Sequence, residues 1–346
     1  MNEATAPLPG IYLTSYLAPF AEALARADVT DIYVNRPGEV WLETTGGGVE
    51  RHDNPTLGEA TLCRLATQIA ALTHQGVSRE HPLLAATLPD GSRIQIVHPP
   101  ATRGPLALAI RRHVAPLLSL VDYEESDCFA HTKGEDPGSS LAEIEALIRE
   151  RRFAEALRLA VRSRKNIVIA GGTSTGKTTF LNALLREVPG DERLILIEDT
   201  PELSIQHQNH VGLVNVRGEL GEARVTANDL VSTALRMRPD RIILGELRGA
   251  EASAFLRAIS SGHPGSMTTI HADSPSAAVE QLAMLVIQSG SSLKRDDVRT
   301  YVRRSIDLFV QLGRRGGRRS VDSVVTAAKL RRKSQAHSRT DRGESE

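Results

Sequence analysis

The sequence predicts an α/β protein in two parts: an N-terminal α+β domain, a linker, and a larger C-terminal domain built on a mainly parallel sheet. Three observations carry this reading. The 346 residues exceed the roughly 100–200 of one ordinary domain. The stretch DYEESDCFAHTKGEDPGSS (122–140) breaks the apolar periodicity with acidic residues, Gly, Pro and Ser, as an interdomain linker does. Beyond it, apolar strand-length runs alternate with helical patterns, which calls for parallel strands joined by right-handed helical crossovers. The boundaries follow as residues 1–120 for the first domain, 121–140 for the linker, 141–328 for the second domain and 329–346 for a basic tail.

The elements follow in order. Residues 11–27 have helical apolar spacing, and DIYVNRPGEVWLE (31–43) reads as two strands around a Pro37-Gly38 turn, where Pro sets φ and Gly tolerates φ > 0. TLGEATLCRLATQIAALT (56–73) is helical after Asn54-Pro55. HPLLAATLPDGSRIQIVHPP and PLALAIRRH supply strands around an Asp90-Gly91 turn. From Leu141 one helical stretch leads to the strand NIVIA, followed by LILIE, VGLVNV, a helix near 226–237, RIILGE, a helix near 250–261, SMTTIHA, a helix near 275–289 and the strand DLFVQL (307–312). After that come GRRGGRRS, a short mixed segment, and a tail without apolar residues for a core.

Composition excludes several classes. With 42 Lys+Arg against 42 Asp+Glu, 40% hydrophobic and 24% charged residues, the chain is neither globally disordered nor a polyanion binder by net charge. The balance is uneven, with residues 311–346 carrying +6 and residues 1–310 carrying −6. Cys63 and Cys128 cannot make a disulfide framework or a four-cysteine zinc site, so a reducing compartment is expected. No stretch approaches the roughly 18 apolar residues of a membrane span, and the first basic residue is Arg26, so no secretory n-region is read. Aromatic content of 3%, with Trp41 as the single tryptophan, argues against a base-stacking platform.

The strongest motif is Gly171-Gly172-Thr173-Ser174-Thr175-Gly176-Lys177-Thr178, with NIVIA before it and TTFLNALLREV, opening on Thr178 and Thr179, behind it. This is a phosphate-binding loop in its proper strand–loop–helix context. Its glycines let backbone N–H groups turn onto phosphate oxygens, the helix N-terminus adds its positive dipole, Lys177 reaches the β/γ-phosphates, and Thr178 can ligate Mg²⁺. The expected ligands are therefore ATP and Mg²⁺. In RIILGE, Glu246 sits at the C-terminal end of an apolar strand, where open α/β sheets bind ligands. It is the candidate for activating the attacking water. Glu198 and Asp199 end LILIE, and His271 ends the strand of SMTTIHA. If both strands neighbour the loop strand, Glu198 holds Mg²⁺-bound water and His271 senses the γ-phosphate. By themselves, the acids also fit a turn or helix cap, and the histidine a structural hydrogen bond.

The segments GGTSTGKTTFLNALL, ILIEDTPEL, RIILGELRGAEA and SGHPGSMTTIHADS together resemble the Walker A, Asp box, Walker B and His box of the secretion-superfamily hexameric ATPases, in the same order. LPDGSRIQIVHPPAT and the following LAIRRH resemble its type IV secretion and conjugative-transfer branch, the VirB/TrbB traffic ATPases, over residues 10–315. The resemblance implies a PAS-like α+β N-terminal domain, a RecA-like C-terminal domain and ATP between the two. It also implies a homo-hexamer in the cytoplasm, attached peripherally to inner-membrane components of a secretion channel. By motif position the family's N-terminal arginines map onto Arg93 and Arg111, with Arg103 and Arg112 close by. Such arginines neutralise charge on the transferring phosphoryl group.

Two alternatives use the same core: a pilus-retraction type of motor, and a nucleic-acid translocase that recruits the basic tail. A nucleotide-switched scaffold with little hydrolysis is a third. The missing zinc module sets the chain apart from type II secretion relatives.

Overall fold

The computed structural model describes residues 11–112, 124, 139–215 and 222–330. The linker expected over 121–140 lies almost wholly outside the described residues, as do Cys128 and the tail from 331.

The N-terminal part is helices α1 (Ile11–Leu17), α2 (Ala21–Ala25) and α3 (Glu59–Leu72) against one sheet. Its strands are β1 (Val29–Val34), β2 (Glu39–Thr44), β3 (Val49–Asp53), β4 (Leu83–Thr87), β5 (Arg93–Val97) and β6 (Ala107–Arg111), antiparallel in the order β3-β2-β1-β6-β5-β4. Alternation sorts the side chains. Ile32, Val34, Ile94, Ile96, Leu108 and Ile110 bury against Phe20, Leu62, Leu65 and Ile69 of the helical layer. Tyr33, Trp41, Val97, Ala107 and Ala109 face the other way and join the core of the second sheet.

That second sheet contains β7 (Ile167–Ala170), β8 (Leu194–Glu198), β9 (His210–Val214), β10 (Arg241–Leu244), β11 (Met267–Ile270), β12 (Leu308–Arg315) and β13 (Arg318–Thr326). The order is β13-β12-β7-β11-β10-β8-β9, parallel except for the β12–β13 hairpin. Helices α4 (Ser139–Arg149), α5 (Phe153–Arg162), α6 (Lys177–Leu185), α7 (Ala227–Arg236), α8 (Glu251–Ser260), α9 (Pro275–Gln288) and α10 (Arg295–Ser305) complete this part. β7, β8, β10 and β11 are buried along their whole length, as strands covered on both faces must be.

The structure departs from the sequence reading in three places. The helical stretch expected from Leu141 is two helices, because Arg151 takes a left-handed φ of 61°. There Arg152 N–H donates to Leu147 O at 2.9 Å and Arg151 N–H to Ile148 O at 3.1 Å, the paired bonds that close a helix end. The end of GRRGGRRS (313–320) and most of the short mixed segment after it form strand β13. Strand β3 and helix α10 had no counterpart in the reading.

Besides their shared apolar core, the two sheets also meet through polar contacts. The Arg193 guanidinium lies over the Tyr33 ring, 4.0 Å from its centroid, and donates to Asn35 Oδ1 at 2.7 Å. Arg103 N–H donates to Gly212 O at 2.8 Å, and Val214 N–H to Ala101 O at 2.9 Å, so the loop after β5 runs along edge strand β9.

Candidate nucleotide site

The loop between β7 and α6 faces a cleft of about 400 Å³. Thr173, Ser174, Gly176, Lys177, Thr178 and Thr179 line one wall. Ser174 (φ 62°) and Gly176 (φ 90°) both occupy the left-handed region, which turns successive backbone amides toward one concavity. Gly171 and Gly172 lie behind, their carbonyls accepting from Lys177 Nζ at 3.0 and 3.1 Å, and Thr175 Oγ1 donates to Gly172 O at 2.9 Å. Burial, opposed by the Glu246 charge and reinforced by Arg248, holds the Lys177 ammonium below the usual lysine range.

The opposite wall comes from the C-terminal ends of β8, β10 and β11: Glu198, Asp199, Glu246 and His271. Of these three strands only β11 neighbours β7; β10 and β11 separate β8 from it, yet Glu198 still reaches the cleft. His271 Nε2 is 2.8 Å from Glu246 Oε1, and its Nδ1 is 3.4 Å from Lys177 Nζ. His271 therefore bridges the acid and the lysine across the cleft. Arg248 Nε donates to Glu246 Oε2 at 2.6 Å. The backbone of 248–249 is itself pinned by Glu251, whose Oε1 accepts both N–H groups at 2.7 and 2.8 Å.

Glu198 is committed differently. Its Oε1 accepts the amides of Glu202 and Leu203 at 2.8 and 2.7 Å, and its Oε2 contacts the guanidinium of Arg103. Arg103 also donates to Leu203 O at 3.0 Å, and burial lowers the pKa of its guanidinium. Asp199 accepts from Asn215 Nδ2 at 2.9 Å and lies 3.9 Å from Arg248.

Arg93 and Arg111 stand elsewhere. They face each other across β5 and β6 and line a separate cavity of about 600 Å³ with Thr73, Gln75 and Arg236. Arg111 Nε is 3.6 Å from Asp31 Oδ1. Arg112 Nη1 donates to the carbonyls of Arg26 and Val29, tying the end of β6 to the start of β1 in the middle of the sheet. Of the four N-terminal arginines in that region, Arg103 is the one that touches a residue of the loop cleft within a single chain. Thr269, Arg248 and Arg319, which the motifs do not single out, also line the walls. Arg248 lies two positions beyond Glu246 and was legible as its neighbour, whereas Arg319 arrives through tertiary packing from 142 residues away from Lys177.

Among the described residues no group of three or more His, Cys, Asp and Glu forms a metal cage. The Thr178 hydroxyl, which shares the cleft with Asp199 and Glu246, nevertheless suits a hard cation that takes most of its remaining oxygens from phosphate and water. No helix among the described residues is long and apolar enough to cross a membrane.

Comparison with known proteins gives a consistent result. The family model described as Type II/IV secretion system protein matches residues 16–340. The chain is 38% identical over 324 residues to the type IV secretion system protein VirB11 of Bartonella henselae, covering 89% of this chain and 91% of that one. It is 40% identical over 336 residues to the type IV secretion system protein PtlH of Bordetella pertussis, covering 94% and 97%. The crystal structure of the VirB11 ATPase from the Brucella suis type IV secretion system, in complex with sulphate, superposes with a TM-score of 0.86 at 36% identity, over 93% of this chain and 96% of that one. With a phosphate-binding loop opposite a glutamate and histidine, and this likeness along nearly its whole length, the chain belongs to the Type II/IV secretion system protein family, in its VirB11 group of type IV secretion ATPases.

Proposed function

We propose that the protein binds ATP in the cleft behind Ser174–Thr179, hydrolyses it, and couples turnover to substrate transport or pilus assembly by a type IV secretion system. The observation that carries the reading is the bridge from Lys177 through His271 to Glu246 across one cleft. Lys177, held by its own loop carbonyls, exchanges them for the β/γ-phosphates, and the loop amides take the remaining oxygens. Thr178 would hold Mg²⁺, which supplies charge neutralisation between the β- and γ-phosphates. Glu246 orients and deprotonates the attacking water, with His271 and Arg248 fixing its carboxylate. His271, next to Lys177, is proposed to sense the terminal phosphate.

Glu198 has both oxygens engaged, which favours an anchoring role over a ligand of Mg²⁺-bound water. Arg93 and Arg111 lie outside the cleft of their own chain, so their proposed contact with phosphate is made in a neighbouring copy of a homo-hexameric ring. The ring is proposed to work at the cytoplasmic face of the inner membrane, against membrane components of the secretion channel.

The test is steady-state ATP turnover with parallel mass determination for wild type, Lys177→Ala, Glu246→Gln and Arg111→Ala, with and without DNA and anionic liposomes. Turnover confined to a six-subunit species, lost in the Lys177 and Glu246 variants and indifferent to DNA, is the expected outcome. Wild-type turnover in Glu246→Gln overturns the assigned role. A monomer stimulated only by DNA, with a steep salt dependence, replaces the secretion motor by a translocase.

A further inference from the structure

One cation of the cleft has no part in the scheme above. Arg319 stands on β13 and lines the same cavity as Ser174, Lys177, Thr178 and Thr179. Its register partner across the hairpin is Arg314, another arginine, whose Nε donates to Gly317 O at 3.4 Å. The nearby acid, Asp322, is taken up by Ser320 Oγ at 2.8 Å and by Arg315 at 3.6 Å. Among the described residues no carboxylate forms an ion pair with Arg319.

The side chain is laid along the phosphate-binding loop. A Cβ at Gly176 would come within 3.0 Å of Arg319 Cδ, 3.4 Å of its Nε and 3.5 Å of its Nη1. Gly176 thus meets two requirements, the left-handed φ that starts α6 and the close passage of this arginine. At the other end of the loop, a Cβ at Gly171 would sit 3.1 Å from Leu312 O of β12. The β12–β13 hairpin therefore backs the loop at both ends.

The side from which it does so determines which phosphate it can meet. In the sheet, β12 neighbours β7 on one side, while β11 and β10, which deliver His271 and Glu246, lie on the other. The water-activating groups approach the terminal phosphate from the β11 side. Arg319 flanks the start of α6 from the opposite side, where loop amides hold the inner phosphates.

We propose that Arg319 is a nucleotide-binding residue whose guanidinium takes the α/β-phosphates, a contact that ATP and ADP share. The inference rests on the reading of this cleft as an ATP site. A planar guanidinium suits two phosphate oxygens at once, and here its counter-charge arrives with the ligand. Because substrate, transition state and product all keep these phosphates, the contact is uniform binding energy, which acts on KM and on product affinity rather than on the chemical step.

The experiment titrates the full-length protein with ADP and with ATP and measures turnover for wild type, Arg319→Ala, Arg319→Lys and Lys177→Ala, each first checked for a wild-type thermal melt. Arg319→Ala is expected to weaken ADP and ATP alike by about tenfold, with the loss in kcat/KM carried by KM, and Arg319→Lys to recover part of it. Wild-type ADP affinity in Arg319→Ala, beside lost affinity in Lys177→Ala, overturns the role of Arg319 and leaves the ATP site standing. Unchanged affinity in both variants overturns the site itself. A fall in kcat at saturating ATP with ADP affinity unchanged overturns the assignment to the inner phosphates.

Discussion

Replacing Arg103 by alanine separates an anchoring Glu198 from a ligating one. The Glu198 side chain is 3% exposed and that of Arg103 23%. Two amides satisfy Glu198 Oε1, at 2.8 and 2.7 Å, and Arg103 is the partner of the other oxygen. Removing the guanidinium leaves a carboxylate oxygen facing a site with almost no water. One-sided loss of a buried ion pair costs about 3–5 kcal/mol, and the partial exposure of Arg103 places this pair near the lower figure. About 3 kcal/mol corresponds to roughly a hundredfold change in an opening equilibrium. The assay is hydrogen exchange at the amides of Glu202 and Leu203, whose acceptor is Glu198, combined with a double-mutant cycle of Arg103→Ala and Glu198→Gln. Exchange at these amides should accelerate about a hundredfold, with a coupling energy of about 1–3 kcal/mol between the substitutions. Wild-type exchange in Arg103→Ala, or strictly additive effects, refutes the anchoring role.

Three further outcomes follow from named contacts. If Arg93 and Arg111 act on a neighbour's nucleotide, mixing inactive Arg111→Ala with inactive Lys177→Ala subunits should restore part of the wild-type ATP turnover, whereas action within one chain restores none. Arg241 is fully buried and grips Glu192 through two bonds of 2.6 and 2.8 Å, so Arg241→Met should lower stability by about 3–5 kcal/mol in urea unfolding, and adding Glu192→Met should recover much of it. Burial pushes the Glu39 pKa up, but hydrogen bonds from Trp41, Arg36 and Arg51 outweigh it and leave the carboxyl below its usual range. Its stabilisation is therefore complete above the unfolded carboxylate pKa and is lost as pH falls through the lower folded value. The stability gap between wild type and Glu39→Gln, followed by fluorescence of the single Trp41, should be open at pH 7 and close below about pH 4.

Most of this fold is legible in the sequence because the buried strands IVIA, LILIE and RIIL are short, continuously apolar and rich in β-branched residues, which favours strand over helix. The sequence concealed the elements whose burial is slight. Strand β3, VERHD, is an exposed edge with charged side chains and reads as a loop, which is how edge strands avoid pairing with other chains. Helix α10 buries Val298, Val302 and Ser305 and little else, too narrow a stripe for periodicity to register. The β12–β13 hairpin carried a readable signal in Gly316-Gly317, both at positive φ, but the surrounding arginines gave the segment the composition of a tail. The site divides along the same line. Lys177, Thr178, Glu246 and His271 follow strands that the pattern identifies, so their convergence follows from the parallel sheet. Arg103 and Arg319 owe their positions to packing between distant segments, and no local spacing encodes that.

The same distinction bears on how the cleft communicates with the N-terminal sheet. Glu246 holds Arg248, Arg248 lies 3.9 Å from Asp199, and Asp199 accepts from Asn215 at 2.9 Å. Asn215 N–H donates in turn to Glu198 O at 2.7 Å, and Glu198 grips Arg103 on the loop that runs along β9. The groups proposed to meet the terminal phosphate are thus joined by consecutive polar contacts to the covering loop of the other sheet. Contiguity alone does not establish coupling; that requires an element whose two arrangements the nucleotide populates differently. Glu198 is where such an element would sit, because its carboxylate holds the 202–203 backbone on one side and Arg103 on the other. Repeating the Arg103–Glu198 cycle with ATP and with ADP measures whether that pair is the element: a coupling energy that differs between the two nucleotides makes it one, and equal coupling energies make it a fixed strut.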